Sequence, residues 1–122
     1  MAEKKNNNKT RGIVKEREAK RLLVSWGYNV LRARGSLGVV DLVAFNGEHS
    51  RFISIKRVKG KYYSFIHEVE NLKNLKTPRY SQKELWIYLD ALKGRKAHWV
   101  LKNIENGDEE RMDVKGNEVK IA

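Results

Sequence analysis

The stretch "VVDLVAFNGEHSRFISIKRVKG", Val39 to Gly60, decides the fold. It reads as two strands, "GVVDLVAF" and about Arg51 to Val58, joined at Asn46-Gly47. That dipeptide favours a tight turn with positive φ, so the strands pair antiparallel as a hairpin. Side chains alternate along a strand, which sets Ser54 and Lys56 on one face. The hairpin brings that face beside Asp41. Asp41 itself is flanked by Val39, Val40, Leu42 and Val43. Burying a lone ionised carboxylate costs several kcal/mol, so this position implies a cation. Lys56 can be that cation in a structural ion pair, or both residues can belong to a catalytic site. Spacing alone leaves the two readings open.

Upstream, "GIVKEREAKRLLVSW", residues 12–26, predicts an amphipathic helix that stops at Gly27. At ~100° per residue Ile13, Ala19, Leu23 and Trp26 share a stripe, with Leu22 at its edge. Glu16 falls in the middle of that stripe, and a carboxylate aimed at a core needs a partner or a job. "YNVLRARGS" then reads as a strand running into a Gly-Ser turn. Downstream, "SFIHEVENLKNL" predicts a short helix, Ser64 to about Leu75, on Phe65, Val69 and Leu72, and Pro78 ends it or marks the loop beyond. "SQKELWIYLDALKG" opens with the capping-box pattern Ser81 to Glu84 and closes at Gly94, which predicts a helix over 81–93. "AHWVLKN" is a further strand, and Asn106-Gly107 with Gly116-Asn117 break the remainder into one or two short ones. The chain reads as one domain over 11–122, preceded by a disordered basic arm over 1–10.

The balance of charge narrows the partners. The 122 residues carry a formal net charge of +11, with a pI near 10.0. Such an excess makes a polyanion the expected partner, because lysines and arginines that neutralise phosphates release condensed counterions. Residues 105–122 hold 3 basic and 6 acidic side chains, so the basic surface belongs to the main body. There is no cysteine, hence no disulfide framework and no thiolate metal site or nucleophile. No apolar run approaches a membrane span and the first residues lack the apolar region of a signal peptide, which predicts an intracellular protein. No Gly-rich phosphate loop points to a nucleotide cofactor. His49, His67 and His98 have no metal-ligand spacing. Tyr62, Tyr63, Trp86, Tyr88 and Trp99 read as core or dimer-contact residues before base-stacking ones.

Glu16, Arg32, Ser36, Asp41 and Lys56, followed by Arg57, Lys59 and Lys61, would assemble acids, a lysine and phosphate-binding donors at one edge of a small sheet. Phosphodiester hydrolysis needs such a set: Mg²⁺ held by carboxylates, with a lysine to orient the attack and offset charge. "GIVKER", "VLRARGS", "VDLVAFNG" and "ISIK", in this order, resemble the archaeal Holliday-junction resolvases, members of the restriction-endonuclease-like or PD-(D/E)XK nucleases. The resemblance covers residues 10–60 well and the segments near 81–93 and 97–103 more loosely. It implies an α/β fold with a central mixed sheet of about five strands flanked by helices. It further implies a homodimeric, Mg²⁺-dependent (or Mn²⁺-dependent) endonuclease that nicks branched DNA in recombination or repair.

Carried over by position, the resemblance makes Glu16 the acid of the first helix, Ser36 the active-site serine, Asp41 the metal-binding aspartate and Lys56 the lysine of the E-x-K element. Arg32, Arg34, Arg57, Lys59 and Lys61 are the implied DNA contacts. Val40 replaces a common proline. Ser54 stands where the family has glutamate, and a neutral hydroxyl cannot replace a carboxylate on a divalent cation. Some restriction endonucleases of the same superfamily share that serine and take the acid from the following helix, with thirteen residues between the lysine and that acid. Thirteen residues also separate Lys56 from Glu70, which makes Glu70 the expected third metal ligand beside Asp41 and Glu16. Glu68 and Glu48 are the alternatives. Loss of cleavage, leaving a protein that binds branched DNA or RNA and recruits partners, is the other outcome. A small basic RNA-associated protein in which Asp41 and Lys56 merely pair is a third.

Overall fold

The hairpin supplies the second and third strands of the sheet. In the computed structural model, which describes residues 2–33, 35 and 37–119 with side chains of the first helix from Val14 onward, β2 (Leu42–Phe45) pairs antiparallel with β3 (Ser50–Val58). The turn differs from expectation. It is a four-residue loop in which Asn46 Oδ1 accepts from the main-chain N–H groups of Glu48 at 2.8 Å and His49 at 2.7 Å. The asparagine side chain stands in for a backbone turn, so Gly47 does not enter the left-handed region.

The other elements are α1 (Ala2–Ser25), β1 (Asn29–Arg32), α2 (Ile66–Asn74), β4 (Ser81–Leu89), β5 (His98–Asn103) and β6 (Glu109–Met112). Strand order in the sheet follows chain order, β1 to β6, and only β3 and β4 run parallel. The expected α/β architecture with a mixed sheet is present, with six strands among the described residues instead of about five.

The sixth strand comes from the segment predicted as a helix over 81–93. Leu85, Trp86, Ile87, Tyr88 and Leu89 are all buried. Trp86 and Tyr88 face α1, whereas Leu85, Ile87 and Leu89 face α2. A parallel strand covered on both faces needs an unbroken apolar run, which has no periodicity to distinguish it from a buried helix. The apparent capping pair is used otherwise. Ser81 Oγ donates to the Pro78 carbonyl and lies 2.8 Å from Thr77 Oγ1, and Glu84 is buried against Arg51.

On one face α1 presents Ala19, Leu22 and Leu23 to Leu42, Ala44, Ile53, Ile55 and Trp86. Each fully buried leucine is worth about 1.5–3 kcal/mol. The helix stops where Gly27, at φ 94°, lets Tyr28 N–H reach back to the Leu23 carbonyl at 3.1 Å. It begins at Ala2, so the expected arm over 1–10 is corrected to helix. No glycine or proline interrupts residues 2–11, and lengthening a helix that is already docked needs no new nucleus. On the other face Phe65 and Leu72 close over Leu85, Ile87, Val100 and Val40. No helix among the described residues is long and apolar enough to cross a membrane.

Candidate active site

Asp41 sits where β2 peels away from β3. Its own N–H donates to the Ile53 carbonyl at 2.9 Å and its carbonyl accepts from Ala33 N–H at 2.9 Å, so the backbone is fixed between two strands. The side chain then continues the ladder, since Oδ2 accepts Ile55 N–H at 2.6 Å. Burial pushes the Asp41 carboxyl above its ordinary range. The Ile55 N–H opposes that rise, the Glu16 carboxylate adds to it, and the Lys56 charge opposes it. The two acids therefore lie within reach of one another, and Glu16 disfavours the charge on Asp41. Glu16 is brought there by α1, and its Oε2 accepts from Arg32 Nη2 at 3.0 Å.

Cross-strand partners share a face. Ser54 pairs with Leu85 and Glu84 with Ile53, so Ser54 and Lys56 lie on the α2 side and Glu84 on the α1 side. Ser54 is fully buried, and its Oγ has no hydrogen-bond partner among the described residues.

Glu16, Asp41 and Lys56 are thus brought together as the sequence predicts. Glu70 is not. It stands exposed on α2, Glu68 is half-buried on the same helix, and Glu48 is exposed in the β2–β3 loop beside His49. Among the described residues no group of three or more acidic, histidine or cysteine side chains converges as a metal site. The expected third ligand Glu70 lies on a helix that packs Leu72, Val69 and Phe65 against the sheet. Ser36 and Arg34 lie outside the described residues.

The expected DNA contacts divide. Lys59 and Lys61 are exposed on the loop after β3. Arg32 is held by Glu16 instead. Arg57 is bidentate to Asp90, at 2.8 and 3.0 Å, which holds that carboxyl below the usual range. Two arginines read as free phosphate donors are engaged with acids remote in sequence.

Three side chains that brace α1 against the sheet escaped the sequence reading. Arg51 makes two 2.7 Å bonds to Glu84, whose Oε1 also accepts Trp86 Nε1–H at 3.0 Å. The guanidinium lies 5.3–5.7 Å from the rings of Tyr28, Trp26 and Trp86, tying the end of α1 and the start of β1 to the central strands. Lys15 is buried, with Nζ 3.5 Å from the Tyr88 ring centroid and 2.9 Å from Glu18. It fixes the rotation of α1 that presents its neighbour Glu16. The signal for Glu84 was an acid beside the run "LWIYL"; nothing in the sequence pairs it with Arg51.

Residues 7–120 match the family model described as archaeal Holliday junction resolvase (Hjc). The fold is similar to that of Hjc from Archaeoglobus fulgidus, a Holliday junction resolvase of an archaeal hyperthermophile. The TM-score is 0.62 and the identity 22%, over 89% of this chain and 92% of that one. No curated protein sequence matches significantly.

Proposed function

The chain belongs to the archaeal Holliday junction resolvase (Hjc) family, and from that premise we propose that it is a metal-dependent endonuclease that nicks four-way DNA junctions. The family implies branched DNA as the ligand, and its nucleases are generally metal dependent. The observation that carries the reading is the Glu16–Asp41 carboxylate pair beside Lys56. Two acids pressed together in partial burial are a donor set of hard oxygens. Mg²⁺ is commonly held by one or two carboxylates plus substrate phosphate, so these residues fit it despite Ser54. The chemistry a bound Mg²⁺ or Mn²⁺ supplies is polarisation of the scissile phosphate and a more acidic water.

The side chains do the rest. Asp41, anchored by Ile55 N–H, presents one carboxylate oxygen in a fixed direction. Arg32 orients Glu16. Lys56 carries an ammonium to the scissile phosphate, where it offsets developing charge and steers the attacking water. Lys59 and Lys61 hold flanking phosphates, and Ser36 and Arg34 take the roles the family resemblance assigns them. Because each nick severs one strand, two copies acting as a homodimer resolve a junction. A second reading, grip without cleavage, is favoured by the fully buried Ser54 where the third acid would stand.

A labelled four-way junction separates the two. Wild type, Asp41→Ala and Glu16→Gln are compared with and without Mg²⁺, with binding followed by mobility shift in the same tubes. Cleavage by wild type alone, with all three binding, supports the nuclease. Binding by all three without cleavage in any divalent metal establishes the second reading.

A further inference from the structure

The connection from α2 to β4, residues 75–80, reads "LKTPRY" and ends in an unusual residue. Tyr80 adopts φ 60°, a left-handed conformation that a bulky side chain rarely takes, and it is 79% exposed. Nothing in the core accounts for the strain, since the ring belongs to neither apolar cluster.

The loop is nonetheless braced from three sides. Ser50 N–H donates to the Tyr80 carbonyl at 3.2 Å. Ser81 Oγ contacts Thr77 and Pro78. Lys83 Nζ donates to the carbonyls of Lys73 and Leu75, 3.0 Å each. An exposed aromatic held in a strained conformation by a rigid frame is displayed, and such strain collects at functional positions.

Its surroundings name the ligand. Residues 71–83 contain four basic side chains and no acidic one, and Lys76 and Arg79 beside Tyr80 are exposed. Lysine and arginine interleaved with an open ring form the pattern that takes phosphates on one side and a base face on the other. Ser81 pairs with Ser50, six residues before Lys56 on β3, which sets the loop about 20 Å along the sheet from the catalytic lysine. At ~3.4 Å per base step that is roughly six base pairs.

We propose that Lys76, Arg79 and Tyr80 form a second DNA contact that grips the branch point while the scissile phosphate lies at Lys56. Tyr80 stacks on a base left open at the branch, and Lys76 and Arg79 take phosphates of the adjoining arm. The proposal rests on branched DNA being the ligand, as argued above.

The test measures junction affinity against salt concentration, and fluorescence of 2-aminopurine placed at the branch, for wild type, Tyr80→Gly, Tyr80→Phe and Lys76→Ala/Arg79→Ala. Glycine accepts the left-handed conformation freely, so Tyr80→Gly keeps or raises the thermal midpoint while weakening junction binding about tenfold and restoring fluorescence. Tyr80→Phe binds as wild type. Lys76→Ala/Arg79→Ala lowers the slope of log affinity against log salt by about two. Wild-type affinity and quenching in Tyr80→Gly, or a wild-type slope in Lys76→Ala/Arg79→Ala, with wild type binding the junction normally, overturns this contact and leaves the nuclease reading standing. A wild type that does not bind the junction overturns both.

Discussion

Replacing Arg51 with methionine leaves Glu84 as a buried carboxylate without a counterion. The pair is 14% and 5% exposed, and both its bonds are 2.7 Å, so water does not substitute for the lost guanidinium. Breaking such a pair from one side costs about 3–5 kcal/mol. Set against the roughly 5–15 kcal/mol that holds a domain together, this is a large fraction. With a urea dependence of about 2 kcal/mol per M, the unfolding midpoint falls by about 2 M. Tryptophan fluorescence follows the transition directly, because Trp86 donates to the same carboxylate. The double variant Arg51→Met/Glu84→Gln removes the charge while keeping an oxygen for the Trp86 N–H, and it recovers most of the loss. A single variant that loses less than about 1 kcal/mol, or a double variant that falls as far as the single, refutes the account of Glu84 as a charge kept buried by Arg51.

Three further outcomes are expected. The folded Asp41 carboxyl holds its proton above the ordinary carboxylate range because of burial and the nearby Glu16, so the native chain binds more protons than the unfolded one there. Stability therefore falls as pH rises from that ordinary range through the folded value, and the fall is absent in Asp41→Asn. Thermal midpoints across pH check this, and an Asp41→Asn midpoint below wild type at neutral pH contradicts it. Asp90 behaves oppositely: the Arg57 guanidinium lowers its pKa, so its contribution is present above the ordinary range and lost as pH falls through the folded value. Urea midpoints of Asp90→Asn then show a flatter acid limb than wild type. Finally, Glu70→Ala cleaves a junction with unchanged Mg²⁺ dependence, whereas Glu16→Gln does not cleave; a lost or shifted Mg²⁺ response in Glu70→Ala would return that acid to the site.

The candidate site was legible because it rests on local rules. Alternation in "FISIK" and one aspartate in an apolar strand are enough to bring Asp41, Ser54 and Lys56 to the same place, and a carboxylate in a helical stripe adds Glu16. What the sequence concealed is long-range. Arg32 and Arg57 look like free basic side chains until Glu16 and Asp90, 16 and 33 residues away, are seen to hold them. The thirteen-residue spacing to Glu70 is correct as a count, but the inner face of α2 is set by what Leu72 packs on. The segment 81–93 carried two conflicting signals, a capping pattern and an apolar run, and burial on both faces decided for the strand.

The agreement between strand order and chain order has a kinetic consequence. Every ladder joins strands consecutive in the chain, and four of the five close as antiparallel neighbours. The exception is β3 with β4, whose ends are separated by residues 59–80. Closing those 22 residues costs about 1.5 kcal/mol more loop entropy than closing the four-residue loop between β2 and β3. The ladders of β1 to β3 can thus close early, whereas α1 takes its final rotation, and with it the position of Glu16, only when β4 brings Tyr88 under Lys15. Docking of the "LWIYL" run against β3 is then the step that joins the two antiparallel ladders and completes the core under α1.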